Sequence, residues 1–262
     1  MININSLENK QIKEIIKLRK SHERKSKGVF LIDGRREIAL ALKSKIRIKE
    51  LFYCPDFSLE DPGLLKEFDQ DKIIIVPKNV FKKIAYKENP DGLLAIAEKE
   101  NFKLEKIKLS SCPLVVILEA VEKPGNLGAI LRTAYAAGVE AVIINDNQTD
   151  IFNPNVIRAS EGHIFTTPIA IATILETIAW LQKNKIRSFA AAIKQSHDYL
   201  KVDFSGPTAL VFGSEADGLS KDWVQAADEK ILIPMKGGID SLNVSVSAAI
   251  IVFEAIRQRN IS

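Results

Sequence analysis

Small and polar residues follow two apolar segments in the C-terminal half of this 262-residue chain. The segment TALVFG (208–213) runs into the acidic loop SEADG (214–218). The segment ILIPM (231–235) runs into a glycine turn and then the polar residues Ser241, Asn243 and Ser245. In open α/β sheets, ligands bind where the carboxyl ends of the strands meet. The two segments therefore predict a ligand site at one edge of a sheet.

A third segment with possible chemistry is PGNLG (124–128), which precedes Arg132. Glycines at a turn between a strand and a helix let backbone amides approach a ligand, and a helix N-terminus favours an anion. Arg132 is expected in the first two turns of the helix, and its planar guanidinium suits a phosphate. Each segment also has a structural explanation, namely a tight turn, solvated carboxylates, or a helix N-cap at Ser220 or Ser241.

Several common sites are absent from the sequence. No G-x-G-x-x-G sequence opens the first βα unit of the C-terminal half, and there is no G-x-x-x-x-G-K-[ST] sequence. The three histidines are scattered, and neither cysteine fits a metal-ligand spacing. The sequence therefore favours neither a standard dinucleotide fingerprint, nor a P-loop, nor metal-dependent catalysis.

The C-terminal half shows an alternation of strands and helices that could position these residues. Apolar segments at 114–120 and 141–145 read as strands, and a helix AILRTAYAAG is expected between them, after a loop EKPGNLG. A further helix is expected to begin after Asn153, with Pro154 in its first position. The long terminal helix from Ser241 onward is apolar along most of its length. This pattern predicts that much of the helix is buried, and a subunit interface is one place where it could be buried.

The N-terminal half predicts a smaller α/β domain. Asn5 or Ser6 can cap a first helix, and the short apolar runs VFLID, ELFYC, KIIIV and GLLAIAE alternate with the helical segments REIALALKS and PGLLKEF. The pattern ends near Glu98. The polar segment at about 100–111 is interpreted as a linker.

Charge differs between the two halves. Residues 1–110 carry 24 Lys and Arg against 17 Asp and Glu, a net charge of +7, whereas residues 111–262 carry 13 against 16, a net charge of −3. A basic half favours a polyanionic partner, although a lysine-rich solvated surface gives the same composition. We expect phosphate contacts from Lys25, Lys27, Arg35 and Arg36.

The remaining composition indicates a cytoplasmic protein. No apolar run is long enough to span a bilayer, and the N-terminus reads as a polar amphipathic helix and not as a signal peptide. Cys54 and Cys112 lie in or beside apolar runs, which predicts buried free thiols in a reducing compartment.

The ordered segments PGNLGAILRTA, LVFGSEADGLS and ILIPMKGGIDSLNVSVSAAI resemble the three motifs of the SpoU (TrmH-like) branch of the SPOUT RNA methyltransferases. The resemblance covers residues 112–262. The basic first part, ending in NPDGLLAIAE, is similar to the substrate-binding domain found upstream in rRNA-directed members. The resemblance implies an RNA-binding domain over 1–104, resembling a ribosomal RNA-binding protein, and a methyltransferase domain over 112–262. It further implies a homodimer and an α/β fold whose parallel sheet carries a C-terminal trefoil knot.

The resemblance also implies an activity and its residues. Members transfer a methyl group from S-adenosylmethionine to a ribose 2′-hydroxyl of tRNA or rRNA. By position in the motifs, the catalytic residues are Arg132, Asn126, Glu215, Ser241 and Asn243, and the backbones of Gly213, Ile233 and Leu242 surround the adenosyl group. The segment 159–168 departs from the family pattern and leaves the exact RNA contacts open.

The expected chemistry is a direct displacement, in which the ribose oxygen attacks the methyl group of the sulfonium, the bond from sulfur to methyl breaks, and neutral S-adenosylhomocysteine leaves. Such a donor is already activated, so the reaction calls for no metal and no covalent intermediate. Because a guanidinium stays charged at neutral pH, we interpret Arg132 as a phosphate clamp and a stabiliser of the forming alkoxide, and not as a base.

Three alternatives remain open at this point. The extra N-terminal domain favours a 23S-type rRNA as substrate, with tRNA as the alternative. The protein could be a non-catalytic RNA-binding or ribosome-assembly protein on the same fold. It could also be a nucleotide-binding enzyme that uses GNLG as a phosphate cradle, which the absence of a following lysine disfavours.

Overall fold

A computed structural model describes residues 1–57, 63–192 and 196–260. Contacts divide the chain into two compact units. Unit 1 comprises residues 1–101 and 150–166, and unit 2 comprises residues 102–149 and 167–262. The chain therefore crosses between the units three times, and a segment from the middle of the C-terminal half belongs to unit 1.

The elements follow in chain order. Residues 1–101 contain β1 (Ile2–Asn3), α1 (Lys10–Lys17), α2 (Ser21–Lys27), β2 (Val29–Asp33), α3 (Arg35–Lys43), β3 (Ile48–Tyr53), β4 (Ile73–Ile75), α4 (Lys78–Ile84) and β5 (Leu93–Glu98). Residues 102–260 contain β6 (Leu114–Glu119), α5 (Pro124–Ala136), β7 (Ala141–Asn145), α6 (Pro154–Ala159), β8 (Ile169–Ile171), α7 (Ile174–Lys183), β9 (Arg187–Ala191), β10 (His197–Asp198), β11 (Thr208–Phe212), α8 (Lys221–Ala226), β12 (Glu229–Leu232) and α9 (Val244–Arg259).

Unit 1 is built on a mixed five-stranded sheet of order β1-β4-β3-β5-β2, in which β5 runs antiparallel to both of its neighbours. Its core includes Ile12 and Ile15 of α1 and Phe52 of β3. The first helix is capped by Asn9, whose side chain accepts a hydrogen bond from the amide of Gln11. The caps predicted at Asn5 or Ser6 were therefore wrong.

The segment 150–166 completes unit 1. Its helix α6 begins at Pro154 with Asn153 as the N-cap, as predicted, and it contacts β2. The Phe152 ring stacks on Phe30 with 4.2 Å between the ring centroids. These apolar contacts explain why a segment of the C-terminal half is packed in the N-terminal unit.

Unit 2 is built on a seven-stranded sheet in which all recorded pairings are parallel, in the order β10-β12-β9-β11-β6-β7-β8. The central strands β6, β7 and β11 are buried at every position, as expected when helices cover both faces of a parallel sheet. The parallel direction brings the carboxyl ends of all seven strands to one edge of the sheet. The α/β prediction is confirmed.

Some predictions about unit 2 were wrong. The helix α5 begins at Pro124, so PGNLG forms the first turns of the helix instead of a loop before it. Proline is favoured at the first helical position because its fixed φ suits the helix and its missing N–H is no loss there. Cys54 is buried as predicted, but Cys112 is exposed.

The segment at about 100–111, which was predicted as a linker, packs against the core of unit 2. Leu104 is buried in its core, and Ile107 and Leu109 pack against that core. In unit 1, the predicted helix PGLLKEF is a 3₁₀ helix over Gly63–Glu67, and Pro62 lies outside the described residues. Within the described ranges, no helix combines the length and apolar character needed to cross a membrane.

Candidate active site

Two clefts open at the carboxyl edge of the parallel sheet in unit 2. One has a volume of about 330 Å³ and is lined mainly by apolar residues from the ends of β9 and β12 and from α9. The other, of about 450 Å³, is lined by the loop after β11 and by residues 241–244. The sheet edge at which the sequence predicts a ligand site therefore carries a pair of clefts, which share Ala191, Ser241, Leu242 and Ser247.

The loop after β11 closes on itself. Ser214 and Gly218 exchange two backbone hydrogen bonds, of 3.0 and 3.1 Å. A Cβ atom on Gly213 would lie 2.2 Å from the carbonyl of Gly218, so this loop requires a glycine at position 213. Ser220 begins α8, and its amide donates to the buried carboxylate of Glu119 at the end of β6 (2.9 Å). The loop that carries Glu215 is thus held at both ends.

Asn243 begins the last helix. Its Oδ1 accepts hydrogen bonds from the amide of Ser245 (2.9 Å) and from the Ser245 hydroxyl (2.6 Å), which makes Asn243 the N-cap of α9. The alternative cap at Ser241 was wrong. Because the cap uses Oδ1, the amide nitrogen of Asn243 is left to make other contacts.

Three side chains, one from each predicted motif, contact one another, and Glu215 lies at the centre. Its Oε1 accepts from Nδ2 of Asn126 (2.5 Å) and from Nδ2 of Asn243 (2.8 Å). The Asn243 amide also donates to Oδ1 of Asn126, at 3.2 Å. We call Asn126, Glu215 and Asn243 the carboxylate–amide cluster. Asn126 is separated along the chain from Glu215 by 89 positions and from Asn243 by 117 positions.

Lys123 provides a cation beside this cluster. Its ammonium group forms a short ion pair with Oε2 of Glu215. The hydrogen bond from Lys123 is the main cause of a lowered pKa at Glu215; burial opposes it, and the weaker contribution of the bond from Asn126 again lowers the pKa. The Glu215 carboxylate is therefore ionised at neutral pH and accepts from three donors. Lys123 is not among the residues predicted from the sequence.

The other predicted residues occupy different places. Ile233 lines the apolar cleft, Gly213 lines the second cleft, and Ser241 and Leu242 line both. Arg132 is exposed on α5 and lines neither cleft. It lies six residues after Asn126, which places it about 9 Å further along the helix and on another face, because each residue advances about 100° and 1.5 Å. The structure therefore does not place Arg132 in the carboxylate–amide cluster.

In unit 1, the four cations predicted to contact RNA differ in their surroundings. Lys25 is exposed on α2, whereas Lys27 lies 3.6 Å from Glu14 and 3.9 Å from Glu23. Arg36 forms a short ion pair with Glu161. The backbone amide of Arg35 donates to Asp91, at 2.8 Å.

A fifth basic residue of the same region is structural. Arg24 is 1% exposed, and its guanidinium contacts the carboxylate of Asp150 at 2.6 Å and 2.8 Å. It also donates to the carbonyls of Leu18 and Arg19, both at 2.8 Å. Its partner lies 126 positions away in the chain, so no local pattern could have revealed this role.

The fold and the site define an α/β protein with two clefts at the carboxyl edge of a parallel sheet. Two family models match the chain, the SpoU rRNA Methylase family over residues 113–253 and the MRM3-like substrate binding domain over residues 9–95. The chain belongs to the SpoU rRNA methylase family, which confirms the resemblance.

Relatives match over nearly the whole chain. The 23S rRNA (guanosine(2553)-2′-O)-methyltransferase RlmP of Bacillus subtilis is 29% identical over 253 residues, which are 97% of this chain and 98% of the relative. The crystal structure of an RNA 2′-O ribose methyltransferase has a TM-score of 0.86 and 35% identity, and the match covers 99% of this chain and 100% of that one. The AdoMet complex of AviRb from Streptomyces viridochromogenes has a TM-score of 0.88 and 27% identity, with 97% and 100% covered.

Proposed function

We propose that this protein transfers the methyl group of S-adenosylmethionine to a ribose 2′-hydroxyl of 23S-type rRNA. The observation that carries this proposal is the convergence of Asn126, Glu215 and Asn243, one from each motif, beside two clefts at the carboxyl edge of the parallel sheet. The family membership and the rRNA methyltransferases among the relatives support it.

The apolar cleft suits the methyl donor. Its volume of about 330 Å³ falls within the range of small-molecule sites, and its walls include Ile231, Ile233, Leu242 and Ile251. An adenine ring would lie against such walls, while Ser241 and Asp240 offer polar groups at the rim. In this proposal Gly213, Ile233 and Leu242 hold the adenosyl group. Among the described residues, no group of three or more His, Cys, Asp or Glu could hold a metal ion.

The residues around the clefts would orient the acceptor. The donor supplies an electrophilic methyl group on a positively charged sulfur. The remaining task is to place the ribose oxygen in line with that methyl group, and the donors and acceptors of Asn126, Ser241 and Asn243 are suited to this positioning. Glu215 keeps the two asparagines in place. Arg132 clamps a phosphate and stabilises the alkoxide that forms on the ribose as the hydroxyl proton passes to solvent water.

A homodimer is part of the proposal. α5 and α9 pack against each other and carry three exposed apolar side chains, which are Tyr135, Val246 and Phe253. Exposed apolar patches of this kind mark association surfaces. A second copy covering this face would also bring its own residues near Arg132, which is exposed on α5. The trefoil knot in the C-terminal segment is proposed from the family resemblance.

The substrate follows from chemistry and from the N-terminal domain. A 2′-hydroxyl acceptor implies RNA, because DNA lacks this group. We assign RNA binding to the domain at 1–104 and methyl transfer to the domain at 112–262. The rRNA methyltransferase RlmP aligns with both, which favours rRNA over tRNA. Since rRNA of this type is made in the bacterial cytoplasm, we place the protein there.

The test is incubation with radiolabelled S-adenosylmethionine and separate pools of unmodified rRNA and tRNA. We expect stable label in rRNA, and a decrease in kcat of about 10²- to 10³-fold in Arg132→Ala. Arg132→Lys is the matched control for geometry, since near wild-type turnover would exclude a role for the forked guanidinium. Label in tRNA alone would contradict the rRNA assignment. No label, together with no donor binding by calorimetry, would favour a non-catalytic RNA-binding protein.

A further inference from the structure

Lys123 lies outside the residues assigned to donor or RNA binding, yet it contacts the centre of the carboxylate–amide cluster. We infer that Lys123 is a positioning residue, which fixes Glu215 so that one carboxylate oxygen holds the amides of both Asn126 and Asn243. This inference rests on the proposed function for its kinetic consequences.

The geometry separates the two oxygens of Glu215. Oε2 contacts the ammonium group of Lys123, and Oε1 accepts from both asparagine amides. A carboxylate fixed at one oxygen cannot rotate freely about its last bond, so its other oxygen keeps one direction. Asn243 in turn caps α9, and Asn126 lies in the first turn of α5. Lys123 thereby determines how two helix ends are joined at the site.

The position of Lys123 at the start of α5 explains how an exposed side chain can orient the Glu215 carboxylate. It is the N-cap residue of α5, so its backbone is fixed by the start of that helix. Its side chain is 69% exposed, against 27% for Glu215. An exposed ion pair contributes little to the stability of the fold. Loss of Lys123 should therefore disturb the site much more than the folded state.

Charge gives a second, independent consequence. Apart from Lys123 and Glu215, the titratable groups among the described residues that line the two clefts containing Glu215 are acidic: Asp217 lies in the same loop as Glu215, and Glu122 lines the small cleft that contains Lys123 and Glu215. Removal of the Lys123 cation therefore raises the pKa of Glu215, because its main cause of depression is lost and burial still opposes ionisation. Because 27% of its side chain is exposed, we expect Glu215 to stay ionised at pH 7 in both forms. A change in kcat at neutral pH then reports orientation, and the titration reports charge.

The experiment compares Lys123→Met with wild type and with Lys183→Met, a matched control on α7, which lies outside the cluster. Steady-state methyl transfer is measured at pH 7.5, and the Glu215 carboxyl is followed by ¹³C NMR over a pH titration, with its signal assigned from Glu215→Gln. For Lys123→Met we expect kcat to fall about tenfold with little change in the KM for RNA. We expect its Glu215 to titrate at higher pH than in the wild type. Lys183→Met should match the wild type in both readouts.

Lys123→Arg tests the mechanism, since a guanidinium can also bond to Oε2. It should restore most of kcat and the low pKa of Glu215. An unchanged kcat and titration in Lys123→Met would overturn the inference. So would a higher KM for RNA with a smaller salt dependence and an unchanged Glu215 titration, because that result identifies Lys123 as a phosphate contact. The titration needs no activity, so it still tests the contact between Lys123 and Glu215, on which the inference rests, if the wild type fails to methylate rRNA.

Discussion

The two units use their charged residues in different ways. In unit 1, Arg24 and Asp150 form an ion pair whose side chains are 1% and 8% exposed. In unit 2, the corresponding pair at the site is Lys123 with Glu215, and its side chains are 69% and 27% exposed. The first pair holds two distant segments of one unit together, whereas the second lies where a ligand can reach it.

Because of this difference, the net charge of a region does not by itself indicate how much positive surface is exposed for a partner. Residues 1–110 have a net charge of +7, which favours a polyanionic partner. Within that region Arg24 is buried, and Lys27 and Arg36 face carboxylates. Part of the positive charge is therefore neutralised inside unit 1, so the surface that remains for RNA is smaller than the composition indicates.

The sheets of the two units also differ in the directions of their strands. All recorded strand pairs of unit 2 are parallel, so the loops after β6, β11 and β12 emerge at one edge and bring polar residues together. The sheet of unit 1 is mixed, because β5 runs antiparallel to β3 and β2. At the end of β2, the carboxylate of Asp33 accepts hydrogen bonds from the backbone amides of Tyr86 and Lys87. This carboxylate therefore stabilises the fold of unit 1.

The largest expected effect is on the buried pair of unit 1. Arg24→Met leaves the Asp150 carboxylate buried without its cation, which should lower the free energy of unfolding by about 3–5 kcal/mol. Urea unfolding followed by circular dichroism measures the loss. Both tryptophans of the chain, Trp180 and Trp223, lie in unit 2, so their fluorescence reports on that unit. We expect the dichroism transition to move more than the fluorescence transition.

The double variant Arg24→Met, Asp150→Asn is the control for this prediction. Removal of both charges avoids the uncompensated carboxylate, so the double variant should recover much of the stability that the single variant lost. If the two variants were equally unstable, the cost would come from the carbonyls of Leu18 and Arg19, which lose their donor in both.

A smaller effect is expected from an arginine of unit 2 that has no carboxylate partner among its recorded contacts. The guanidinium of Arg259 donates to the carbonyls of Cys112, Pro113, Phe204 and Gly206, at distances between 2.6 and 3.1 Å. Because these carbonyls lose a charged donor, Arg259→Met should cost about 2 kcal/mol, measured by the tryptophan transition in urea. Burial lowers the pKa of Arg259, in agreement with its partly enclosed position.

Arg187→Met is the matched control in the same unit. Arg187 pairs with Glu229 at the surface, with 54% of its side chain exposed. Exposed pairs contribute up to about 1 kcal/mol, so this variant should be close to wild type. Equal losses in the two variants would mean that Arg259 acts only as a surface charge and does not fasten the end of α9.

The sequence predicted the parts of the site that depend on local pattern. The strands β6, β7 and β11 lie within one residue of their predicted bounds, because buried strands are continuous apolar runs. The order of the motifs also predicted that Asn126, Glu215 and Asn243 share a site, and the structure brings them into contact. Their chemical roles, like those of Arg132 and Ser241, stay predictions.

Other features depended on contacts that no local pattern contains. Lys123 meets a carboxylate 92 positions away, and Arg24 meets one 126 positions away. The start of α5 was misplaced for a different reason, because the two glycines in PGNLG were read as a turn while Pro124 marked the helix start. The cap of α9 is Asn243 and not the predicted Ser241, because the Asn243 side chain reaches the Ser245 amide.

The smallest expected effects concern the RNA binding that we propose for unit 1. Each phosphate contact with single-stranded RNA contributes about 0.7 to the slope of the logarithm of affinity against the logarithm of salt concentration. Removing Lys25, Lys27, Arg35 and Arg36 together should therefore flatten the slope, and an unchanged slope would exclude all four. Since Lys25 is exposed and Arg36 is paired with Glu161, Lys25→Ala should lower the slope more than Arg36→Ala.

Glu161→Gln sharpens this last comparison. It removes the carboxylate that faces Arg36 while leaving the guanidinium in place. If pairing is what keeps Arg36 from RNA, this variant should bind rRNA more tightly at low salt and show a steeper slope than the wild type. Binding is measured by filter retention at several salt concentrations. A slope that stays the same in Glu161→Gln but falls in Arg36→Ala would mean that Arg36 already contacts RNA with its partner in place, and that an ion pair in unit 1 does not exclude a cation from the RNA surface.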